Sequence, residues 1–255
     1  MRNIVSLEGK TVVVTGAGQG IGRATIKLAR ELGANAVAID LNRDTLSTYD
    51  ASDRQLMTIT GSVTDEAFAT DAVEKIVQRF GAIHGLVNNA GITQPAMSEK
   101  MTLAQWNAVI EVHLTGAFLW TQAVGRTMLK RAKGGETNVG SIVNISSDAG
   151  RAGSMGQINY AAAKSGLLGM TMTSAKEWSK FGIRTNSVCF GVVETPMTET
   201  ILGDKFREGI LARIPMGRWA QPEEVVQPVC FLLSDAASYI TGQHLAVNGG
   251  FHISI

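Results

Sequence analysis

Thr11-Val12-Val13-Val14-Thr15-Gly16-Ala17-Gly18-Gln19-Gly20-Ile21-Gly22 decides how this chain folds. The run from Thr11 to Val14 is short, β-branched and uninterrupted, as in a parallel strand buried on both faces. Glycines follow at once, and a helical pattern then continues to Leu32, with Gly33 placed to stop it. A helix N-terminus offers unpaired N–H groups and the positive end of its dipole. Glycines in front of it let a pyrophosphate approach backbone that a side chain would cover. Gly16, Gln19, Gly20, Ile21 and Gly22 are therefore assigned to cofactor binding. Alone such a motif is weak, but a second strand, Ala36-Val37-Ala38-Ile39, ends in Asp40, near the spacing at which a carboxylate meets the adenosine ribose hydroxyls. A carboxylate there repels a 2′-phosphate, and neither Gln19 nor Leu41 supplies a cation, so the expected cofactor is NAD(H), not NADP(H). Arg43 is the counterargument, since it lies close enough to swing toward a phosphate.

The same alternation continues outward. A strand at Leu56 to Thr60 is followed by a helix capped at Thr64-Asp65, then by a strand around Leu86-Val87 closing on Asn88-Asn89-Ala90-Gly91. Helices are expected from Leu103 to Met128, a polar loop from Lys133 to Asn138, and a strand at Ser141 to Ile145 that delivers Ser146 and Ser147 at its carboxyl end. This pattern reads as α/β, a single-domain doubly wound parallel sheet over residues 1–255 with helices on both faces. Ligands of such sheets bind at the carboxyl edge. The stretch 196–215, between a strand end and the last helix, is expected to be a substrate lid.

Beyond Ser147 the chain reads Tyr160-Ala161-Ala162-Ala163-Lys164. In a helix this spacing stacks phenol and ammonium one turn apart on one face. A tyrosine used as a base at neutral pH must lose about 3 from its pKa, roughly 4 kcal/mol. One positive charge at about 5 Å in an effective dielectric of about 20 is worth roughly 3 kcal/mol, so Lys164 can supply much of it. Ser147 can hold a substrate oxygen beside the phenol, which is positioning plus acid/base work and not covalent catalysis.

Composition bounds the alternatives. The 255 residues are 45% hydrophobic and 18% charged with a net charge of +1, which suits an ordinary globular protein and gives no footprint for nucleic acid or a membrane surface. Cys189 and Cys230 show neither metal spacing nor a disulfide framework, and His84, His244 and His252 do not cluster with carboxylates, so no metal site is expected. Met1 to Lys10 lacks the apolar core of a signal peptide, which predicts the cytoplasm. Met155, Met197, Met216, Phe190 and Phe206 suggest an apolar substrate pocket, with core packing as the alternative for each. Trp178 and Trp219 read as packing or interface residues.

With Thr15-Gly-x-x-x-Gly20-x-Gly22, Asn88-Asn89-Ala90-Gly91, Ser147, Tyr160-x-x-x-Lys164, Thr195-Pro196-Met197 and Asn248-Gly249-Gly250 in place, the chain resembles the short-chain dehydrogenase/reductase family, in the branch that includes 3-oxoacyl-carrier-protein reductases. The resemblance implies Tyr160 as acid/base, Ser147 as orienter of the substrate oxygen, and Lys164 as holder of the nicotinamide ribose that also lowers the tyrosine pKa. It implies cofactor contacts at Ser62, Val63, Asn89, Ala90, Gly91, Val193 and Thr195, and a homotetramer. Three residues depart from the pattern. His113 stands where the family has an asparagine that holds a relay water; it can relay a proton, pH-sensitively given an ordinary pKa of about 6.5, or be a helix histidine satisfied by a neighbour. Ser62 replaces an aspartate that reads adenine, and can still accept that bond. Phe190 replaces a proline, which predicts an unusual backbone or a bulky pocket wall. The expected reaction is NAD(H)-linked interconversion of a secondary alcohol and a ketone acting on a small molecule. The alternatives are an NADPH-dependent 3-oxoacyl-carrier-protein reductase, a sugar-nucleotide epimerase or dehydratase, and a non-catalytic NAD-binding sensor.

Overall fold

A computed structural model describes residues 4–198 and 204–253. Strands β1 (Thr11–Thr15), β2 (Asn35–Asp40), β3 (Leu56–Thr60), β4 (Gly85–Asn88), β5 (Gly140–Ser147), β6 (Ile183–Phe190) and β7 (His244–Val247) form one sheet in the order β3-β2-β1-β4-β5-β6-β7. All six pairings are parallel. The helices are α1 (Gly20–Glu31), α2 (Arg43–Ser47), α3 (Glu66–Phe80), α4 (Leu103–Ile110), α5 (Gly116–Lys133), α6 (Ala149–Ala152), α7 (Ile158–Trp178), α8 (Asp204–Leu211) and α9 (Pro222–Leu233). Between α4 and α5 the chain makes a π-helical turn, Glu111–Thr115. Among the described residues, no helix is long and apolar enough to cross a membrane.

The sheet is covered on both faces, which is why its central strands carry continuous apolar runs. On one face Ile26 and Ala29 of α1 meet Val226 and Val229 of α9 over Val12, Val14, Val143 and Val188. On the other, Ala72 and Ile76 of α3 and Trp120, Val124 and Met128 of α5 pack on Val13, Leu86 and Ile142. Trp178 packs into this second layer, and a Cβ on Gly125 would lie 2.6 Å from its ring, so the glycine makes its place. Helix α3 starts where Asp65 caps it, accepting the Phe68 N–H.

Two polar devices sit inside this apolar frame. Asn88 and Asn144 are register partners of β4 and β5. Asn88 Nδ2 donates to Thr121 Oγ1 (2.9 Å) and to Asn144 Oδ1 (2.8 Å), and Asn144 Nδ2 donates to Thr171 Oγ1 (2.8 Å), linking both strands to α5 and α7. The second device is His84, just before β4, whose Nδ1 accepts the Thr11 N–H at 3.0 Å. Burial first, and then the Arg131 charge, push His84 down to about 4. Unfolded, it titrates near 6.5, so between those values the native state binds fewer protons. Its stabilisation is present above about pH 6.5 and is lost as pH falls toward 4. Melting temperatures of the wild type and His84→Gln from pH 7.5 to 4.5 are expected to converge with acidification. A gap independent of pH would remove His84 from the acid response.

The sheet order reverses between β1 and β4, and their carboxyl ends form the crevice where a doubly wound sheet binds its ligand.

Candidate active site

The glycine turn is braced from the β4 exit. Thr15 Oγ1 accepts the N–H groups of Asn89 (3.1 Å) and Ala90 (3.2 Å), while Asn89 Nδ2 donates to the carbonyls of Thr15 (3.0 Å) and Gly16 (2.9 Å). This closeness is what demands glycine. Gly16 has φ 63°, and a Cβ there would lie 2.6 Å from Ala90 Cα; at Gly22 it would lie 2.2 Å from the Gly16 oxygen. Gln19 precedes α1 without any side-chain capping bond, so the first-turn N–H groups of that helix are left for a ligand. Asp40 Oδ2 accepts the Gly18 N–H at 2.7 Å and Oδ1 the Asn42 N–H at 2.9 Å, which pins the carboxylate between the turn and the β2 exit. An uncapped helix start, a cradle that Cβ atoms would fill and a fixed carboxylate at the ribose end fit a nicotinamide dinucleotide.

Ser147 ends β5, and α7 brings Tyr160 and Lys164 against it. The Ser147 hydroxyl lies near enough to the Tyr160 phenol to draw its pKa down, and Ser147 Oγ accepts the Ala149 N–H at 3.2 Å. Lys164 Nζ lies 5.5 Å from the Tyr160 ring centroid and donates to the Ile145 carbonyl at 2.6 Å. The electrostatics differ from expectation. Burial holds the Tyr160 phenol above its usual range, opposed by the neighbouring Ser147 hydroxyl. Lys164 is itself pushed down to about 7 by burial, so the desolvation that raises the phenol also weakens the hold of the ammonium on its charge. Desolvation is the leading cause for both groups because they share one low-dielectric corner.

His113 lies in the π-helical turn and is 2% exposed. Its Nε2 is 2.7 Å from the Ile92 carbonyl oxygen and 2.9 Å from the Ile92 nitrogen, and its ring stands edge-on to Tyr160 with centroids 5.1 Å apart. Burial, and then Lys164, push it down to about 3. The imidazole is thus held toward its neutral form and engaged with the Ile92 backbone, the arrangement of a helix histidine satisfied by a neighbour. Gly91 makes room for it, since a Cβ there would lie 2.2 Å from His113 Cε1.

The other two departures resolve differently. Ser62 Oγ bonds Thr64 Oγ1 at 2.8 Å, so its hydroxyl already has a local partner at the cleft edge. Phe190 continues β6 regularly, paired with Ser147, and is a 4% exposed cleft wall. The unusual backbone is not found.

One cleft of about 320 Å³ gathers Gly16, Gln19, Gly20, Ile21, Asp40, Ser62, Val63, Asn89, Ala90, Gly91, His113, Ser147, Tyr160, Lys164, Val193 and Thr195. Gly22 is buried and is not part of its lining. Of the apolar pocket candidates, Phe190 and Met197 line the cleft, whereas Met155 (89% exposed) and Met216 (63%) stand outside its lining. The Phe206 side chain and residues 199–203 of the expected lid lie outside the described residues. Ile92, Val112 and Ile145 also line the cleft, and sequence reading missed them because apolar residues beside strand ends look like core. It also missed Tyr49, whose hydroxyl donates to the Ala17 carbonyl at 2.7 Å under the stacked Arg23 guanidinium. A larger cavity, about 710 Å³, opens at the opposite, amino-terminal edge of the sheet beside His84 and Arg184, away from Ser147 and Tyr160. Among the described residues, no three His, Cys, Asp or Glu side chains group as metal ligands.

Comparison with known proteins gives a consistent pattern. A family model described as enoyl-(acyl carrier protein) reductase matches residues 16–252. The 3-oxoacyl-(acyl-carrier-protein) reductase FabG of Thermotoga maritima is 45% identical over 254 residues, covering 97% of this chain and 99% of the relative. The acetoacetyl-CoA reductase of a Synechocystis species is 39% identical, with 97% and 98% covered. Among solved structures, a gluconate 5-dehydrogenase from Burkholderia cenocepacia in complex with NADP and tartrate superposes with a TM-score of 0.92 at 31% identity, covering 99% of each chain.

Proposed function

Because the chain belongs to the short-chain dehydrogenase/reductase family, whose members are oxidoreductases of hydroxyl and keto groups using a nicotinamide cofactor, we propose that it interconverts a 3-oxoacyl thioester and its 3-hydroxyacyl thioester, with NADH preferred. The observation that carries the reading is that Ser147, Tyr160 and buried Lys164 line one cleft walled by Phe190 and Met197. The thioester is favoured over a general secondary alcohol by the relatives, a 3-oxoacyl reductase and an acetoacetyl-CoA reductase among them. The NADH preference rests on Asp40, fixed by two backbone N–H groups, while the Arg23 guanidinium beside the turn is engaged with the Gly18 and Thr45 carbonyls and the Thr48 hydroxyl. NADP in the gluconate dehydrogenase structure supports the phosphorylated cofactor as the second reading.

A bound nicotinamide would supply the hydride acceptor or donor, held by the glycine turn, Asp40, Asn89 and Lys164. The protein's own groups handle the oxygen and the proton. Ser147 donates a hydrogen bond to the substrate oxygen, directing it at the phenol. Tyr160 takes the hydroxyl proton in oxidation and returns it in reduction. Lys164 stabilises the phenolate when charged, and its bond to the Ile145 carbonyl keeps it in reach. His113 packs its edge on the Tyr160 ring and fixes the phenol's direction. A homotetramer is proposed from the family resemblance, with Phe118 of α5 and Met172 of α7 about half exposed as apolar helix surface.

Initial rates with acetoacetyl-CoA, NADH against NADPH, alongside NAD+ reduction over a panel of secondary alcohols, test the reading. Turnover of the thioester with NADH is expected. Turnover confined to simple alcohols would displace the substrate class, and tight NADH binding with no turnover would favour a sensor.

A further inference from the structure

We infer that the closing Asn248-Gly249-Gly250 turn is a positioning element that ties the Ser147 loop to the loop after α8, so that the Ser147 and Phe190 wall of the cleft is held in place. It rests on the oxidoreductase reading only for its kinetic consequence.

The connection is continuous. Asp148 follows Ser147 and is 5% exposed, and both its carboxylate oxygens accept from one amide, Asn248 Nδ2, at 2.7 and 3.0 Å. The same Nδ2 lies 2.9 Å from the His252 carbonyl, and Asn248 Oδ1 accepts the Gly250 N–H at 3.0 Å, so the amide holds its own turn closed while it holds Asp148. Asp148 N–H donates to the Phe190 carbonyl at 2.9 Å, which adds the cleft wall to the junction. Gly191 lets the turn come this close, since a Cβ there would lie 2.9 Å from Asn248 Cβ.

From the turn the contact passes to the loop after α8. The Met216 N–H donates to the Gly249 carbonyl at 3.1 Å, and the Arg213 guanidinium stacks on Phe251 at 4.7 Å. Gly249 and Gly250 have φ of 63° and 84°, and a Cβ on either would lie 2.9 Å from Ile214 or Pro215. Side chains would push the loop away. A buried carboxylate whose oxygens both rest on one amide is sensitive to any change of that amide, because without it the desolvated oxygens keep only the longer-range pull of the Arg151 and His252 side chains. Ser147 is its sequence neighbour and orients the substrate oxygen, where a displacement of about 1 Å costs about a hundredfold in rate.

Asn248→Asp places two carboxylates face to face, and the D148N/N248D double variant restores an amide–carboxylate pair with the roles exchanged. In N248D, kcat/KM is expected to fall at least about tenfold while NADH affinity, read by tryptophan fluorescence, stays within about twofold. Hydrogen exchange at the Met216 amide is expected to speed up at least about tenfold in N248D. Both changes should be largely reversed in the double variant. An unchanged Met216 exchange in N248D, or no recovery in the double variant, overturns the inference. The exchange measurement needs no substrate, so it decides the question even if the thioester reading fails.

Discussion

Tyr160→Phe is expected to lower turnover by about a thousandfold, with NADH affinity within about twofold of wild type. The ring is retained, so the edge-on contact with His113 at 5.1 Å and the packing around Lys164 survive. What disappears is the hydroxyl beside Ser147 that moves a proton to or from the substrate oxygen. The wild-type pH profile should show no inflection near 6.5 from His113, whose pKa is about 3, but should be sensitive near 7, where Lys164 changes charge. Stopped-flow or steady-state rates from pH 5.5 to 9 measure both. A Tyr160→Phe protein retaining a tenth or more of wild-type turnover would remove the phenol from the chemistry.

Asp40→Ser is expected to move the NADH to NADPH ratio of kcat/KM by about a hundredfold toward NADPH. A charged hydrogen bond to a ribose hydroxyl is worth roughly 1.5–3 kcal/mol, and the same carboxylate repels a 2′-phosphate. Serine keeps a local acceptor for the Gly18 or Asn42 N–H, so the turn that Asp40 braces should hold its shape. Arg43, exposed at the start of α2, and Arg23, whose guanidinium rests on the Gly18 and Thr45 carbonyls, are then the cations at hand for the phosphate. Paired initial rates at fixed ionic strength give the ratio. A wild type that already prefers NADPH, or a ratio unmoved by the substitution, would sink the Asp40 assignment.

What could be read from sequence was what local spacing defines. The glycine turn, Asp40 at the next strand end and the Tyr160–Lys164 pair each lie within one supersecondary unit, so their geometry follows from the periods of strand and helix. β6 and β7 were not legible in the same way. Arg184, Asn186 and Ser187 make β6 look half-polar, yet these groups are satisfied across the chain, Arg184 on the carbonyls of Ser234 and Ile240, Asn186 on Ile240, and Ser187 on His244. The partner of His113 was hidden too, being backbone 21 residues away. The sign of the Tyr160 perturbation was hidden for a different reason. Spacing gives the distance to a charge but not the desolvation that competes with it.

The buried Asn88–Asn144 pair bears on how the chain avoids assembling wrongly. β4 has four residues, all buried, so alternation of polar and apolar faces cannot tell one alignment with β5 from another one residue away. A slip of one position would put Val87 opposite Asn144 and strand both amides among apolar side chains, at about 1–3 kcal/mol for each group left unpaired. Parallel strands find each other late and over long loops, and in that search the two asparagines act as an editing step that rejects near-miss pairings. Because β4 hands the chain directly to Asn89, Ala90 and Gly91, a slip would also shift the brace beneath the glycine turn by about 3.3 Å, one strand residue. The catalytic crevice is thus checked for alignment by residues that never touch it.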